Sequence, residues 1–333
     1  MQIEDYHHRF IKNSIGEYTC VKGLCNDASN RNYLRIFSES KTYILCEDPD
    51  LRDNNPLQYP FFIIYNMLLK EKIPVPVVHY INNHDGLYIL QDLGDDLIEN
   101  IYSSLSLEKR RSLYYRLIES IVMIQKIKRD QKIFPFMFSF DIEKLMYEFN
   151  FFIDNALIIY FNSRISSTAL AELRKEFLMI SGLLYKPEYF VLNHRDYHSR
   201  NILIKNGEPY IIDFQDARLG LPQYDLVSLL RDSYLLIEED LFITLKEYYF
   251  NLSMEYGIHQ MSANEFEYYF DIMAFQRNIK ALGTFAYQVT SLGRDRYKMY
   301  VKPTLRYLND YINRREELKR TGIILKENIE VEW

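Results

Sequence analysis

In the stretch HRDYHSRNILIKNGEPYIIDFQD, residues 194–216, two aspartates and an asparagine stand at spacings that could serve one kind of chemistry. Phosphoryl transfer needs oxygen ligands to hold a metal against nucleotide phosphates, and a separate carboxylate to take the proton of the attacking hydroxyl. Asp196 has the place of the base, and Asn201 and Asp213 have the places of metal ligands. His194 opens the motif and is read as support for its loop. The pattern H-R-D-x-x-x-x-N followed by D-F-G is met by His194-Arg195-Asp196, Asn201 and Asp213-Phe214, and breaks only where Gln215 replaces the glycine.

Local structure has to bring these residues together. Ile202 to Ile204 and Tyr210 to Ile212 are short apolar runs joined by Lys205-Asn206-Gly207-Glu208, and Asn-Gly between such runs predicts a hairpin with a type I′ turn. Asp196 and Asn201 then lie in the loop entering the first strand, and Asp213 leaves the second. Upstream, strands are expected near residues 18–24, 33–37, 42–46, 77–81 and 87–91. One helix over 57–72 interrupts them, ended by Pro74 and Pro76. After Asp92-Leu93-Gly94-Asp95 the pattern turns helical, with caps expected at Ser106, Asp141 and Ser167 and later helices near 223–236, 239–256, 263–291 and 299–319. The expectation is an α+β, bilobal, protein-kinase-like fold: residues 1–93 a nucleotide-binding lobe, a connector near 91–94, and residues 95–333 a catalytic and acceptor-binding lobe. Nucleotide would lie in the cleft, its adenine against Gln91 to Leu93.

Bulk properties narrow the function. The 333 residues are 48% hydrophobic and 15% aromatic, enough for a substantial core and too apolar for disorder. A net charge of -6 argues against nucleic acid as a partner. No apolar run approaches a membrane span, and MQIEDYHHRF lacks a signal-peptide layout, so a cytoplasmic protein without a membrane partner is expected. Cys20, Cys25 and Cys46 form no C-x-x-C pair and suit buried thiols in a reducing compartment. His7-His8 reads as a solvated terminus, and His194 with His198 lies in a loop rather than at zinc-ligand spacing on a helix.

HRDYHSRN and IIDFQDARLGLPQYDLVSLLRDSY resemble the aminoglycoside phosphotransferase/choline kinase superfamily, and more closely its bacterial N-acetylmuramate/N-acetylglucosamine anomeric kinase branch. NDASNRNYLR, YILQDLGDD and FDIMAFQRNIKALGTFA extend the likeness across most of the chain. The resemblance implies an ATP- and magnesium-dependent kinase acting on the anomeric hydroxyl of an amino sugar in cell-wall recycling. It gives Asp196, Asn201 and Asp213 the same roles, and makes Asp225 a buried brace for the catalytic loop. Eleven residues between Asp213 and Asp225 leave no space for a protein kinase's activation loop, and no P-loop motif occurs.

The first lobe departs from the general kinase pattern. GLCNDASNRN has one glycine, so backbone approach to phosphates falls to Ala28, Ser29 and Asn30. The strand YILCEDPD carries no phosphate-binding lysine, and the 57–72 helix no interior glutamate. Arg31, Arg35 or Lys41 is expected to supply the missing cation, or else to be a solvated strand residue. Gln276, Arg277 and Lys280 share a helical face and are candidates for the acceptor, where a lactyl carboxylate would want a cation. The aromatic run FPFMFSF, 134–140, reads as inter-helix packing in preference to a sugar platform. Two other readings stay open: an aminoglycoside or choline kinase, and a nucleotide-binding regulator without catalysis.

Overall fold

The computed structural model describes residues 3–24, 30–39 and 41–331, which form two compact units. The first comprises residues 1–101 and 201–216; the second comprises 102–200 and 217–333. The division therefore differs from the one expected near residue 93. The connector stays with the first unit, and so does the 201–216 hairpin, which hydrogen bonds attach to it: Ile204 N donates to Asp96 O at 2.8 Å and Ile211 N to Pro74 O at 3.0 Å.

The first unit is built on a five-stranded antiparallel sheet of order β1-β2-β3-β5-β4: β1 (Cys20–Gly23), β2 (Asn32–Phe37), β3 (Thr42–Glu47), β4 (Val78–Asn82) and β5 (Leu87–Gln91). Period-two alternation sorts its faces. Leu34, Ile36, Leu45, Leu87 and Ile89 bury one face under helix α1 (Asp5–Ile15), whose Phe10 and Ile11 complete that core. That helix corrects the reading of a solvated terminus. His7 is buried, and its Nδ1 accepts from Glu4 N at 3.1 Å to close the first turn. Helix α2 is Pro60–Lys70, shorter than the expected 57–72 because Pro56 and Pro60 each start a separate helical turn. A short helix α3 (Ile98–Ile101) closes the segment.

The second unit is mainly helical: α4 (Leu107–Gln125), α5 (Ile142–Phe152), α6 (Ser167–Leu184), α7 (Gln223–Leu230), α8 (Glu239–Glu255), α9 (Ala263–Thr290), α10 (Lys298–Arg314) and α11 (Glu316–Asn328). Its β6 (Val191–Asn193) lies antiparallel to β9 (Arg218–Gly220), and between them in sequence runs the first unit's hairpin, β7 (Ile202–Lys205) and β8 (Glu208–Ile211). Ser106 and Asp141 cap α4 and α5 as expected, whereas Ser166 instead of Ser167 caps α6. The helix expected over 299–319 is two, broken where Arg315 takes an extended conformation. Gly283 on α9 faces the backbone of Phe152, so close that an added Cβ would lie 3.0 Å from the Phe152 Cα. Its missing side chain sets α9 against α5, and the two helices also meet through Gln276 and Glu148.

Candidate active site

Two backbone positions with positive φ hold the motif's chemistry. Arg195 sits at φ 86 and Asp213 at φ 65, values that cost an ordinary L-residue strain and persist only where the surroundings hold them. For Arg195 the holder is Asp225, fully buried near the start of α7, whose carboxylate accepts from His194 N at 2.6 Å and from Arg195 N at 3.0 Å. Burial pushes the Asp225 carboxyl above its usual range, and the His194 side chain and these two backbone donors oppose that. Arg277 fixes the other side of the same residue, donating to Arg195 O at 2.9 Å while its guanidinium lies 4.4 Å from the centre of the Tyr224 ring. His194 is buried too, and its Nδ1 accepts from Asp196 N at 3.3 Å. A second buried carboxylate, Asp232, accepts from Ser199 N at 2.8 Å. The sequence reading did not single it out.

Asp196 projects from this braced loop into a cationic environment. Its Oδ1 meets Lys280 Nζ at 3.0 Å and its Oδ2 lies 3.8 Å from Arg195 Nε. Burial alone would raise the carboxyl, but Lys280, Arg195, Arg277 and His198 together hold it well below the usual carboxylate range. His198, beside Tyr234 at 5.1 Å between ring centres, is pulled down to about 3 by burial, so it is neutral at working pH. Asp196 is thus an ionised carboxylate aimed by a lysine, suited to receive a hydroxyl proton at small cost in reorganisation.

Among the expected acceptor residues, Arg277 and Lys280 reach the loop and Gln276 does not. Gln276 is fully buried and donates from Nε2 to Glu148 Oε2 of α5 at 2.8 Å. The expectation of one shared face fails because adjacent residues of a helix are about 100° apart around its axis, and packing against α5 takes Gln276. In the aromatic run, Phe136 and Phe140 are buried and Phe140 stacks on Tyr224 at 4.0 Å, the packing role expected for it. Phe138 remains exposed.

In the first unit, Asn206 and Gly207 have φ 55 and 80, the type I′ geometry read from the sequence. Asp213 follows the hairpin. Phe214 is buried and stacks on Phe61 of α2 at 5.0 Å, anchoring the positive-φ turn, while Asp213 is exposed and its carboxylate accepts from Gln215 Nε2 at 2.8 Å. Asn201 ties the hairpin's base through its carbonyl, which accepts from Ile212 N at 3.0 Å. Exposed carboxylate oxygen plus amide oxygen is a hard donor set, which fits magnesium and offers nothing for a soft metal. Among the described residues no group of three or more His, Cys, Asp or Glu could hold a metal.

The sheet's other face explains the missing lysine. Cys46 is buried there, and burial raises its thiol to about 12. Cys20, by contrast, is exposed, against the expectation for all three cysteines, and Cys25 lies outside the described residues. Arg31, just before β2, is not a solvated strand residue: its Nε donates to the buried carboxylate of Asp48 at 2.6 Å, and Asp48 also accepts from the Tyr59 hydroxyl at 2.7 Å. A cation held by a carboxylate is therefore present, with the acid drawn from the end of β3. Arg35 is committed elsewhere, with Nε 2.8 Å from Asp92 and Nη2 2.8 Å from Asp95, so it fastens β2 to the connector. Gln91 Oε1 accepts from Val77 N at 3.3 Å, and Leu93 is buried. A cavity of about 640 Å³ is bordered by Lys41, Tyr43, His79, Gln91 and Asp92. Ser29 lies outside the described residues.

A braced loop with an ionised aspartate in one unit, and an exposed Asp-Phe hairpin end on the sheet-based other, are the parts of a kinase-like phosphotransferase. The chain matches the phosphotransferase enzyme family (APH) over residues 21–261 and belongs to it. It is 28% identical over 311 residues to an N-acetylmuramate/N-acetylglucosamine kinase of Neisseria meningitidis, covering 90% of this chain and 88% of that one. A protein of the same name from Pseudomonas putida is 27% identical over 333 residues, covering 97% and 93%. Solved structures share the fold: an ADP-bound aminoglycoside phosphotransferase (TM-score 0.63, 15% identity, 93% of this chain and 99% of that one) and the choline kinase LicA of Streptococcus pneumoniae (TM-score 0.57, 14% identity, 91% and 100%). No described helix is long and apolar enough to cross a membrane.

Proposed function

We propose that this phosphotransferase is an ATP- and magnesium-dependent kinase that phosphorylates the anomeric hydroxyl of an amino sugar, N-acetylmuramate or N-acetylglucosamine, in the cytoplasm during cell-wall recycling. The observation that carries the choice of acceptor is the charge around Asp196. Lys280 Nζ lies 3.0 Å and Arg195 Nε 3.8 Å from the Asp196 carboxylate, and Arg277 is held against the same loop by its bond to Arg195 O at 2.9 Å, so three cations gather on that aspartate. A polycationic aminoglycoside or a quaternary ammonium would meet this excess of like charge, whereas a neutral or anionic sugar would not. The names of the relatives support the same acceptors.

In this reading the first unit binds nucleotide and the second the acceptor. Asp196 accepts the proton of the anomeric hydroxyl, and Lys280 keeps it ionised and oriented. Because the transition state is loose, a weakly basic carboxylate in the right place suffices, and positioning contributes most of the rate. Asn201 and Asp213 would hold magnesium, which would supply charge neutralisation to the phosphates. Arg31, oriented by Asp48, takes the place of the absent lysine toward phosphate. Intact Asp196, Asn201 and Asp213 speak against a non-catalytic regulator.

The test is incubation with ATP, Mg²⁺ and, separately, N-acetylmuramate, N-acetylglucosamine, choline and kanamycin, followed by mass detection of phosphorylated product and periodate-free assay of its acid lability, which marks an anomeric phosphate. Acid-labile sugar phosphate with either amino sugar is expected. Phosphorylation of only choline or kanamycin would refute the proposal.

A further inference from the structure

The sheet of the first unit separates two sets of side chains. Residues directly opposite in neighbouring strands share a face, and Tyr43 of β3 stands opposite Gln91 of β5 as Leu45 stands opposite Ile89. Leu45 and Ile89 belong to the core under α1 and Tyr43 packs against it, so the Gln91 side chain is also on the α1 face. Cys46 and Tyr88 oppose each other on the reverse face. There Tyr88 meets Phe61 of α2 at 5.0 Å, Phe61 stacks on Phe214 at 5.0 Å, and the Arg31 guanidinium lies 6.0 Å from the Phe61 ring centre. Arg31 and the Asp213-Phe214 turn, the groups read above as handling phosphate and metal, are therefore on the side away from Tyr43 and Gln91.

The cavity of about 640 Å³ is bordered by Tyr43, Gln91 and His79, whose ring meets Tyr43 edge-on at 5.5 Å, so it belongs to the α1 side of the sheet, and its lining lies wholly in the first unit. Its charge is lopsided. Lys41, exposed at the start of β3, and Lys205, at the end of β7, both border it. Lys205 is aimed by its bond from Nζ to Asp92 O and has two further hydrogens to give. Burial and the Lys41 charge lower the His79 pKa, which leaves that imidazole neutral. Asp92, the carboxylate among the described lining residues, is buried and committed: its Oδ2 lies 2.8 Å from Arg35 Nε, and its Oδ1 accepts from Arg35 Nη2 at 3.1 Å and Gly94 N at 2.9 Å. Two ammonium groups without an available carboxylate call for an anion. The space is far larger than a phosphate ion and falls within the range of about 300–1,000 Å³ used for small ligands. Tyr43 and Val77 supply an apolar wall for a ring, and the Gln91 amide hydrogens supply donors for hydroxyls.

We propose that this cavity is a second ligand site, across the sheet from Arg31 and Asp213, that takes a small sugar phosphate, with the phosphate against Lys41 and Lys205 and the ring against Tyr43 and Val77. The site follows from the geometry of the sheet; the choice of a sugar phosphate, the chemical class of the product, rests on the amino-sugar reading above.

The experiment titrates N-acetylglucosamine 1-phosphate into the full chain by calorimetry with ADP, Mg²⁺ and N-acetylglucosamine saturating, and repeats the titration with inorganic phosphate. Binding of the sugar phosphate is expected to persist under these conditions. It should weaken about fivefold in Lys41→Gln and in Lys205→Gln and about 25-fold in the double variant, as two independent charge contacts predict. Asp196→Asn and Lys280→Gln should leave it unchanged. Displacement by ADP, loss in Lys280→Gln with retention in Lys41→Gln, or no binding to the wild-type chain would overturn the site. Inorganic phosphate binding as tightly as the ester would overturn the sugar-phosphate assignment. Failure of the amino-sugar reading shows separately, as turnover of neither amino sugar while binding and its dependence on the two lysines remain.

Discussion

Replacing Asp225 removes a single side chain that holds two consecutive backbone amides of the catalytic loop. Its carboxylate is fully buried and accepts at 2.6 and 3.0 Å from His194 and Arg195. In Asp225→Ala both donors lose their partner in a buried position, each worth about 1–3 kcal/mol. Against that stands relief from burying an ionisable group whose pKa burial has raised, so the net loss is about 2–4 kcal/mol. For a unit of this size that corresponds to a fall of roughly 4–16 °C in Tm, measured by circular dichroism. Asp225→Asn keeps one acceptor oxygen but turns an amide donor toward the second N–H, and should fall between alanine and wild type. Arg195 is released from φ 86 in both variants, which displaces Asp196. Turnover should therefore drop more than nucleotide affinity. A Tm within about 1 °C of wild type, corresponding to about 0.5 kcal/mol or less, would refute the bracing argument.

Asp196→Asn should lower kcat by about 10²–10⁴-fold while nucleotide binding survives; near wild-type turnover would remove Asp196 from the role of base. Its pKa is depressed, so Asp196 stays ionised as pH falls through the ordinary carboxylate value of about 3.9. The stability of its pairing is present above that value and is lost only as pH falls through the lower, folded-state pKa; Lys280→Gln should move the acid limb of kcat/KM upward, and an unmoved limb would count against the pair. Asp213→Ala should weaken nucleotide binding in the presence of Mg²⁺ far more than in its absence, and calorimetry showing equal losses would argue against a metal ligand. Arg31→Ala should abolish most activity and cost about 3–5 kcal/mol of stability by stranding Asp48, with Arg31→Lys restoring part of the activity. The double variant Arg31→Ala, Asp48→Asn separates the two effects: recovered stability without activity is expected, and recovered activity would make Arg31 a structural partner only.

The candidate catalytic pattern was legible in the sequence because it is local. Asp196, Asn201 and Asp213 are spaced by one loop and one hairpin, and the Asn206-Gly207 turn that sets the register announces itself by residue type. The division into strands and helices was legible for the same reason: period-two and period-3.6 patterns depend on a few neighbouring residues. What only the tertiary structure decided were partners brought together across long chain separations. Asp48 meets Arg31 from the end of another strand, and Glu148 meets Gln276 from α5, a helix whose sequence marks its cap and its apolar face but not what its polar face meets. Gln276 turned from the candidate acceptor face to a buried contact because α5 packs there, at a glycine that only a packed pair of helices explains. Helix α1 escaped notice because its short amphipathic pattern was interrupted by a pair of histidines, one of which the sheet buries. Local spacing determines which groups can act, while charge balance and exposure come from packing, because they depend on every element that comes within a few ångströms.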